Sequence, residues 1–434
     1  MKSKCVFLVA ILTAVLCFSG NLLAYSGDGD GSAGSPYQIS SVTDWQQLMG
    51  TSADWSKSFI LTADIDLAGV TLTPVGNTTT SFMGILDGDN HIIRNVSMNA
   101  PAIDSIGLFG HVSSLTFVVS GVIKNLGVES ANITGRWYVG ALAGQNYGVI
   151  INCHATGTVS GGERYVGGLV GCNVPKEPMT HCYTTCDVIG TANSYCVGGL
   201  IGTGGGAINC YATGNVSCGP YSQMIGGLVG GGGGNVLNCY ATGAVSGGPY
   251  SHDIGGLIGW SSCTGGYDGV FKYCYATGAV CSTDFNRYYI GGVAGTVYYN
   301  GLGNCFWDTQ TSGTSTGVGY GYTAGAIGKS TSQMKTLAAF TSTSWDFSAT
   351  DGDPADWMML RPGEDYPRLA WQPIYAGDIA NLYGVNAIDS AVIAAAWQST
   401  PASPNWNPAA DLNSDGVVNF LDILILADNW LEGT

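Results

Sequence analysis

The sequence predicts a mainly β chain: a parallel β-helix-like solenoid of ~28–36-residue repeats followed by a small helical tail. Three observations predict it. A six-residue pattern, [V/I]-G-[G/A]-[L/V]-[V/I/A]-G, starts at Val139, Val166, Val197, Ile225, Ile254 and Ile290, at spacings of 27, 31, 28, 29 and 36 residues. A second pattern follows each copy, centred on Cys153, Cys182, Cys210, Cys239, Cys274 and Cys305, and is clearest as NCYATG at 209–214 and 238–243. Glycine is 67 of 434 residues without a collagen-like period, and only 10% of the chain is charged while 45% is hydrophobic. That composition suits many tight turns around a packed core and excludes a solvated, disordered chain.

Taken in order, residues 1–24 read as a secretory signal peptide, with Lys2 and Lys4 ahead of an apolar run and LLA as a cleavage site. The run is too short to span a bilayer, and no other segment reaches 18 uninterrupted apolar residues. The expected product is therefore exported, secreted or held at the cell surface, and not membrane-spanning. Residues 25–36 are rich in Gly, Ser and Asp and read as loop. Val42, Trp45 and Leu48 have helical spacing, which predicts a short helix over 41–49 that caps the first coil. FILTADIDL (59–67), FMGILD (82–87), HIIRNVSM (91–98), IGLFG (106–110) and VIKNLGV (122–128) read as strands of early, diverged repeats.

In the clear repeats (137–310) apolar residues flank glycines that can supply corners, positive φ or close backbone approach. Stacked parallel strands lie about 4.8 Å apart, so equivalent residues should form columns. Leu142, Leu169, Leu200, Leu228, Leu257 and Val293 make one column and the six cysteines another. His154, Tyr183, Tyr211, Tyr240, Tyr275 and Phe306 make a third. Insertions at 175–178 and 261–269 should bulge from one face. After Trp307 the period is lost; 332–340 reads as a short helix and 330–371 as a C-terminal cap.

Little in the repeats suggests chemistry. A one-dimensional cysteine column lacks the convergence and short spacing of a zinc site. Stacked Cβ atoms nearly 5 Å apart exceed the ~3.8 Å that a disulfide wants. The column is therefore expected to be a ladder of buried free thiols. Between Arg136 and Cys305 the acids Glu163, Glu177, Asp187, Asp253, Asp268 and Asp284 share no repeat position, and read as surface decoration. Arg136, Arg164, Lys176, Lys272 and Arg287 share none either. His154 and His181 are substitutions inside a repeat and read as packing or hydrogen-bonding groups. The net charge of −16 repels phosphate backbones and excludes a nucleic-acid partner.

The repeats resemble the GLUG-motif repeats of bacterial exported and surface proteins over roughly 25–372, including ADIDLAG (63–69), LDGDNHIIRNV (86–96) and IGLFG. The resemblance implies a β-helix-like surface scaffold and brings no catalytic motif. Beyond a linker at 372–376, residues 376–434 hold a duplication of their own. Asp378 and Asp411, Val385 and Val418, Asn386 and Asn419, Asp389 and Asp422, and Trp397 and Trp430 are all 33 residues apart. The second copy, DLNSDGVVNFLD (411–422), has the form of an EF-hand-type loop ending in Asp. Asp411, Asn413, Asp415 and Asp422 fall at loop positions 1, 3, 5 and 12, Val417 offers a carbonyl, and Gly416 allows the turn. A short helix should follow over 423–431.

Two such units resemble a type I dockerin domain, which implies calcium and a cohesin-domain partner. In that family, loop positions 10 and 11 contribute to partner choice; here these are Ala387 and Ile388, then Phe420 and Leu421. In the first loop Asp378 and Asp389 keep positions 1 and 12, but Ala380, Leu382 and Tyr383 replace two ligands and the glycine. One full calcium site is expected, and a second that is weak or absent. The leading functional expectation is an exported, non-catalytic scaffold with adhesion-like character, anchored through dockerin–cohesin docking and presenting a surface to polysaccharide or cell-surface glycan. The rival is a dockerin-borne polysaccharide hydrolase or lyase.

Overall fold

Five short strands and the corners between them make one coil of the stack. In a representative coil they are Ala207–Ile208, Tyr211–Ala212, Val216–Cys218, Gln223–Gly226 and Val229–Gly232. Each pairs in parallel with its equivalent one repeat later: Ala207 with Val236, Tyr211 with Tyr240, Val216 with Val245, Ile225 with Ile254 and Val229 with Ile258. The structure, a computed structural model, describes residues 25–113, 121–174, 177–262, 270–283, 289–299, 301–347, 356–359, 362–372, 387–400, 403–405, 407, 410–412 and 416–428. The chain divides into two compact units, Met1–Met334 and Lys335–Thr434. The signal-peptide reading at 1–24 lies outside the described residues, as do most of the 261–269 bulge and Pro175 and Lys176.

One face of the first unit is an eight-stranded parallel sheet running from Phe109–Val112 to Val318–Gly321, each strand reached from the last by a crossover around the coil. The pattern at Ile225, Ile254 and Ile290 turns into this face. Its leucines are fully buried, and each donates its backbone N–H to the next member's carbonyl, Leu200 to Leu228 and Leu228 to Leu257 at 2.9 Å. A second column, Phe59, Leu86, Ile123, Ile150, Met179, Ala207, Val236, Phe271 and Leu302, fills the opposite side at 0–8% exposure. Its size varies coil by coil from Ala to Phe, which lets neighbouring layers interlock.

Asparagine, more than glycine, makes the corner before the cysteine column. Asn125, Asn152, Asn209, Asn238 and Asn304, each just before the cysteine-column position, have φ between 50 and 55°. His181 (φ 55°) and Tyr273 (φ 54°) replace it in two coils. Asn is among the few side-chain-bearing residues that visit the left-handed region readily. The glycines of the G-G pair serve close approach instead. A Cβ at Gly227 would lie 2.2 Å from the Gly256 carbonyl oxygen of the next coil, and one at Gly226 would lie 2.0 Å from the Val229 oxygen.

The columns form as expected. Rings stack from His154 to Tyr183 (4.8 Å), Tyr211 (4.8 Å), Tyr240 (4.9 Å) and Tyr275 (5.0 Å), nearly parallel throughout. The cysteine column is a ladder of free thiols. Cys182, Cys210, Cys239 and Cys274 donate to the carbonyl two residues back at 3.1–3.2 Å, and the sulfurs of Cys182, Cys210 and Cys239 accept the backbone N–H of Cys153, Cys182 and Cys210. Burial pushes the Cys182, Cys239 and Cys274 thiols up, and Cys172, Cys186, Cys196 and Cys218 up to about 12. Neutral thiols react slowly. Among the eleven described cysteines only Cys281 is exposed. Among these eleven, a thiol reagent should therefore modify Cys281 rapidly in the native protein and the other ten only after denaturation; fewer than two free thiols in the denatured chain, which carries 14 cysteines in all, would overturn the ladder.

The helix at the start of the stack runs Val42–Gly50, with Ser41 at its N-cap accepting the Asp44 N–H, and Trp45 and Leu48 fully buried. Although burial opposes its charge, Asp44 is held down at about 2 by Ser26, Ser41 and the Ser40 backbone. At the other end the stack outlasts the sequence period. Val318–Gly321 pairs with Ala294–Tyr298, and Ala326–Lys329 with Cys305–Asp308, beyond the point where the sequence period is lost. Parallel ladders need only backbone groups, and here Gly317 and Gly328 pack beside the Trp307 ring. The expected helix at 332–340 is two pieces, Thr331–Met334 and Leu337–Thr341. The stretch 330–371 falls partly in each unit. In the second unit Phe340, Trp345 and Trp357 cluster at 4.9 and 4.6 Å beside the antiparallel pair Trp357–Met358 and Arg368–Leu369.

Candidate calcium centre and docking face

The tail is built from two helices of equal length, Ala387–Ala395 and Phe420–Asp428, offset by the 33 residues of the duplication. Ile393 and Ala396 from the first meet Ala410, Val418 and Leu426 in a small core. Backbone bonds tie the copies together: Gln398 N–H donates to the Val418 carbonyl at 2.9 Å, and Val418 N–H to that of Ser399 at 3.1 Å. Asn405 closes the first helix, its amide donating to the Ala395 carbonyl at 3.1 Å.

In the second loop, Gly416 takes φ 85° and donates its N–H to Asp411 Oδ2 at 2.9 Å, wrapping the chain back on its first acid. Asp422 is fully buried; its two oxygens accept N–H groups from Leu412 and Asn419, both at 2.7 Å. Asn419 in turn accepts the Leu421 N–H at 2.8 Å and donates its amide to the Val417 carbonyl at 3.0 Å. That cap explains why the helix starts at Phe420, three residues before the expected 423. Asn413 and Asp415 lie outside the described residues, as do Asp378 and the first loop to 386. Asp389 stands in the first turn of the first helix and is fully buried, as Asp422 is.

Residues 369–434 contain seven Asp and Glu but no Lys, Arg or His. Buried carboxylates are costly unless a cation compensates them, and this segment holds no basic side chain of its own. Carboxylates spaced along a glycine-turned loop, here Asp411 and Asp422 among the described residues, are the donor type that suits a hard divalent cation.

Of the four residues at loop positions 10 and 11, Phe420 and Leu421 are 63% and 52% exposed, on the first turn of the second helix. Ala387 and Ile388 begin the first helix. Sequence reasoning missed two neighbours: Leu424, one helical turn beyond Phe420, and Trp397, which are 45% and 38% exposed. Between the helices lies a cleft of about 380 Å³ lined by Ser390, Ile393, Ala394, Trp397, Ile423 and Leu426. Helical spacing was the signal that could have found these.

On the solenoid, the scattered acids and bases acquire partners across coils. Arg94 bridges Asp64 and Glu129 at 3.1 Å each, His91 lies 3.1 Å from Asp64, Lys124 meets Asp87 at 2.7 Å, and Arg136 grips Asp104 at 2.7 and 2.8 Å. Arg164 lies over the rings of Trp137 and Tyr195. Asp253, expected as surface decoration, is buried: it occupies a left-handed corner (φ 58°) and accepts the Thr296 hydroxyl. Asp187, exposed and bonded to Asn215, fits the expectation. His154 is a stacked member of the aromatic column, where burial pushes its pKa down. Among the described residues no helix is long and apolar enough to cross a membrane.

Comparisons with known proteins agree with both halves of this description. Residues 135–160 and 221–246 match the GLUG motif, a narrower reach than the expected 25–372. Among curated proteins, 37% of the chain is 36% identical to Halomucin of Haloquadratum walsbyi, and 29% is 30% identical to a protein provisionally named as a Gly-rich membrane protein of Evansella cellulosilytica. The aligned stretches span 2% and 15% of those relatives. A solved structure provisionally described as an immunoglobulin A1 protease of Bacteroides ovatus aligns over 80% of this chain and 95% of its own, at 20% identity and a TM-score of 0.47. Residues 376–429 match the type I dockerin domain, a calcium-binding module that docks on cohesins in extracellular assemblies. The chain thus carries two GLUG motifs in its β-solenoid and a type I dockerin domain at 376–429.

Proposed function

We propose that this protein is an exported, non-catalytic scaffold, anchored by calcium-dependent docking of its tail on a cohesin-bearing partner and presenting its solenoid surface to glycan. The observation that carries the reading is the tail itself: two equal helices over a common core, with a buried acid in the first turn of each. Calcium would be held by Asp411, Asn413, Asp415, the Val417 carbonyl and Asp422. Asp378 and Asp389 of the first loop would hold it weakly or not at all. When bound, the ion supplies the positive charge that the segment lacks.

Ala387, Ile388, Phe420 and Leu421 would meet the cohesin, with Leu424 widening the apolar contact. A few side chains buried at the centre of a contact, large aromatic ones above all, dominate its energy. The test is a calcium-dependent pull-down from the producing cell's envelope. Wild type should retain a cohesin-domain protein, and chelator should release it. Phe420→Asp with Leu421→Asp should weaken capture at least about a hundredfold, since losses above ~2 kcal/mol are usual for such anchors. Undiminished capture would remove these residues from the interface.

One observation favours the second reading, a polysaccharide-degrading enzyme: His91, Arg94, Asp64 and Glu129 gather on one exposed patch of the early coils. Release of reducing or unsaturated sugar from a polysaccharide panel, lost in Arg94→Ala, would establish it over the scaffold.

A further inference from the structure

The outer surface of the later coils carries an aromatic group that neither docking nor the core uses. On the eight-stranded sheet, Trp260, Thr296 and Tyr320 occupy one register on successive strands. Tyr298, two residues beyond Thr296, shares their face. Tyr289 joins from the left-handed corner before Ile290 (φ 53°). The rings form one contiguous chain: Trp260 to Tyr298 at 6.1 Å and 69°, Tyr298 to Tyr320 at 6.2 Å and 71°, Tyr320 to Tyr289 at 4.9 Å and 49°, and Tyr289 to His252 at 6.4 Å and 87°.

These angles matter. Tyr221 and Tyr250 also stand exposed, but they stack at 5.0 Å and 12°, so each covers a face of the other. Rings that meet steeply leave faces open. Tyr289, Tyr298 and Tyr320 are 40%, 44% and 49% exposed, and a contiguous exposed apolar patch of this kind marks a binding surface. Polar groups lie among the rings: the Thr296 hydroxyl donates to Asp253, whose Oδ2 is 2.8 Å from His252 Nδ1.

We infer that this faceted patch is the platform for a neutral polysaccharide, its sugar rings lying on Trp260, Tyr298, Tyr320 and Tyr289 across successive coils. The inference rests on the glycan-presenting reading above and gives it a location. Flat aromatic faces match the C–H faces of sugar rings, while His252 and its neighbours offer hydrogen bonds to hydroxyls. The coil repeat of about 4.8 Å is comparable to the advance per sugar in an extended chain. The net charge of −16, with Asp253 beneath the rings, disfavours an acidic polymer.

The test is affinity electrophoresis of the full chain, with calcium present, in gels holding soluble β-glucan, xylan, mannan, pectate or alginate. Wild type should be retarded by at least one neutral polymer. Trp260→Ala with Tyr298→Ala and Tyr320→Ala should weaken that retardation at least about tenfold, one decade of affinity. Tyr221→Ala with Tyr250→Ala should leave it unchanged. Should the triple variant fail to fold, Tyr298→Ala alone serves, with about a threefold loss expected. Retardation that the ring variants leave intact overturns this placement and leaves the glycan-presenting reading standing. Retardation by acidic polymers alone overturns the neutral class. No retardation by any polymer overturns both.

Discussion

Replacing Asp411 and Asp415 together by Ala, or adding chelator to the wild type, should unfold the tail while the solenoid's β signal stays intact. The tail is too small to fold on its apolar contacts alone. Among the described residues its buried core is Ile393, Ala396, Ala410, Val418 and Leu426, two of them alanines, with Val392, Leu412 and Ile423 packed against it half-buried. Domains of this size usually need a metal or disulfides, and no cysteine lies beyond Cys305. Seven acids without a basic residue between 369 and 434 would repel one another on compaction. A bound cation reverses that sign. At free calcium about a thousandfold above Kd, binding adds about 4 kcal/mol to the folded form, a large share of what a small domain can hold. Melting should show a tail transition, followed by Trp397 emission or far-ultraviolet circular dichroism, that rises with calcium and vanishes with chelator or in the double variant. A melting profile unchanged by chelator would refute calcium-dependent folding of the tail.

The solenoid was largely legible because its signal is long-range and redundant. Six copies of one pattern define the coil, and the columns then follow from parallel register, as the Leu142–Val293 and Cys153–Cys305 ladders show. Three things escaped. The left-handed corners fall on asparagines such as Asn209 and Asn238, because the pattern advertises glycine while the backbone accepts Asn there. The last half-coil, Val318–Gly321 and Ala326–Lys329, pairs through backbone groups that leave no side-chain period to read. The pairs Arg94–Glu129 and Arg136–Asp104 join residues more than thirty positions apart in diverged coils, where no repeat phase aligns them. In the tail, the chemistry was legible in loop positions, but the Phe420–Leu424 face required the helix start that Asn419 sets. The ring patch on the outer sheet was invisible for a different reason: Trp260, Tyr298 and Tyr320 are scattered in sequence, and only register gathers them.

Gly227→Ala should damage the stack severely, costing about 4 kcal/mol or more, in the range reserved for gross steric conflict. The added Cβ would sit 2.2 Å from the Gly256 carbonyl oxygen and 3.1 Å from the Ala241 Cβ, and both belong to the packed body of the coils. A flexible side chain could swing aside; a backbone carbonyl in a parallel ladder cannot move without breaking its own bonds. Gly199 and Gly256 face the same conflict with the Gly227 and Gly292 oxygens, so relief in one coil transfers strain to the next. Repeat stability is mainly a nearest-neighbour sum, so the damage should centre on the coils between 199 and 292. Hydrogen exchange should show lost protection at Leu200, Leu228 and Leu257, with the early coils around Ile123 and Ile150 retaining theirs. Gly34→Ala is the matched control: its Cβ would meet nothing within 4 Å, and the melting temperature should not move. If Gly227→Ala behaves like that control, close approach is not why the repeat keeps its paired glycines, and the side-chain columns alone would have to explain the pattern.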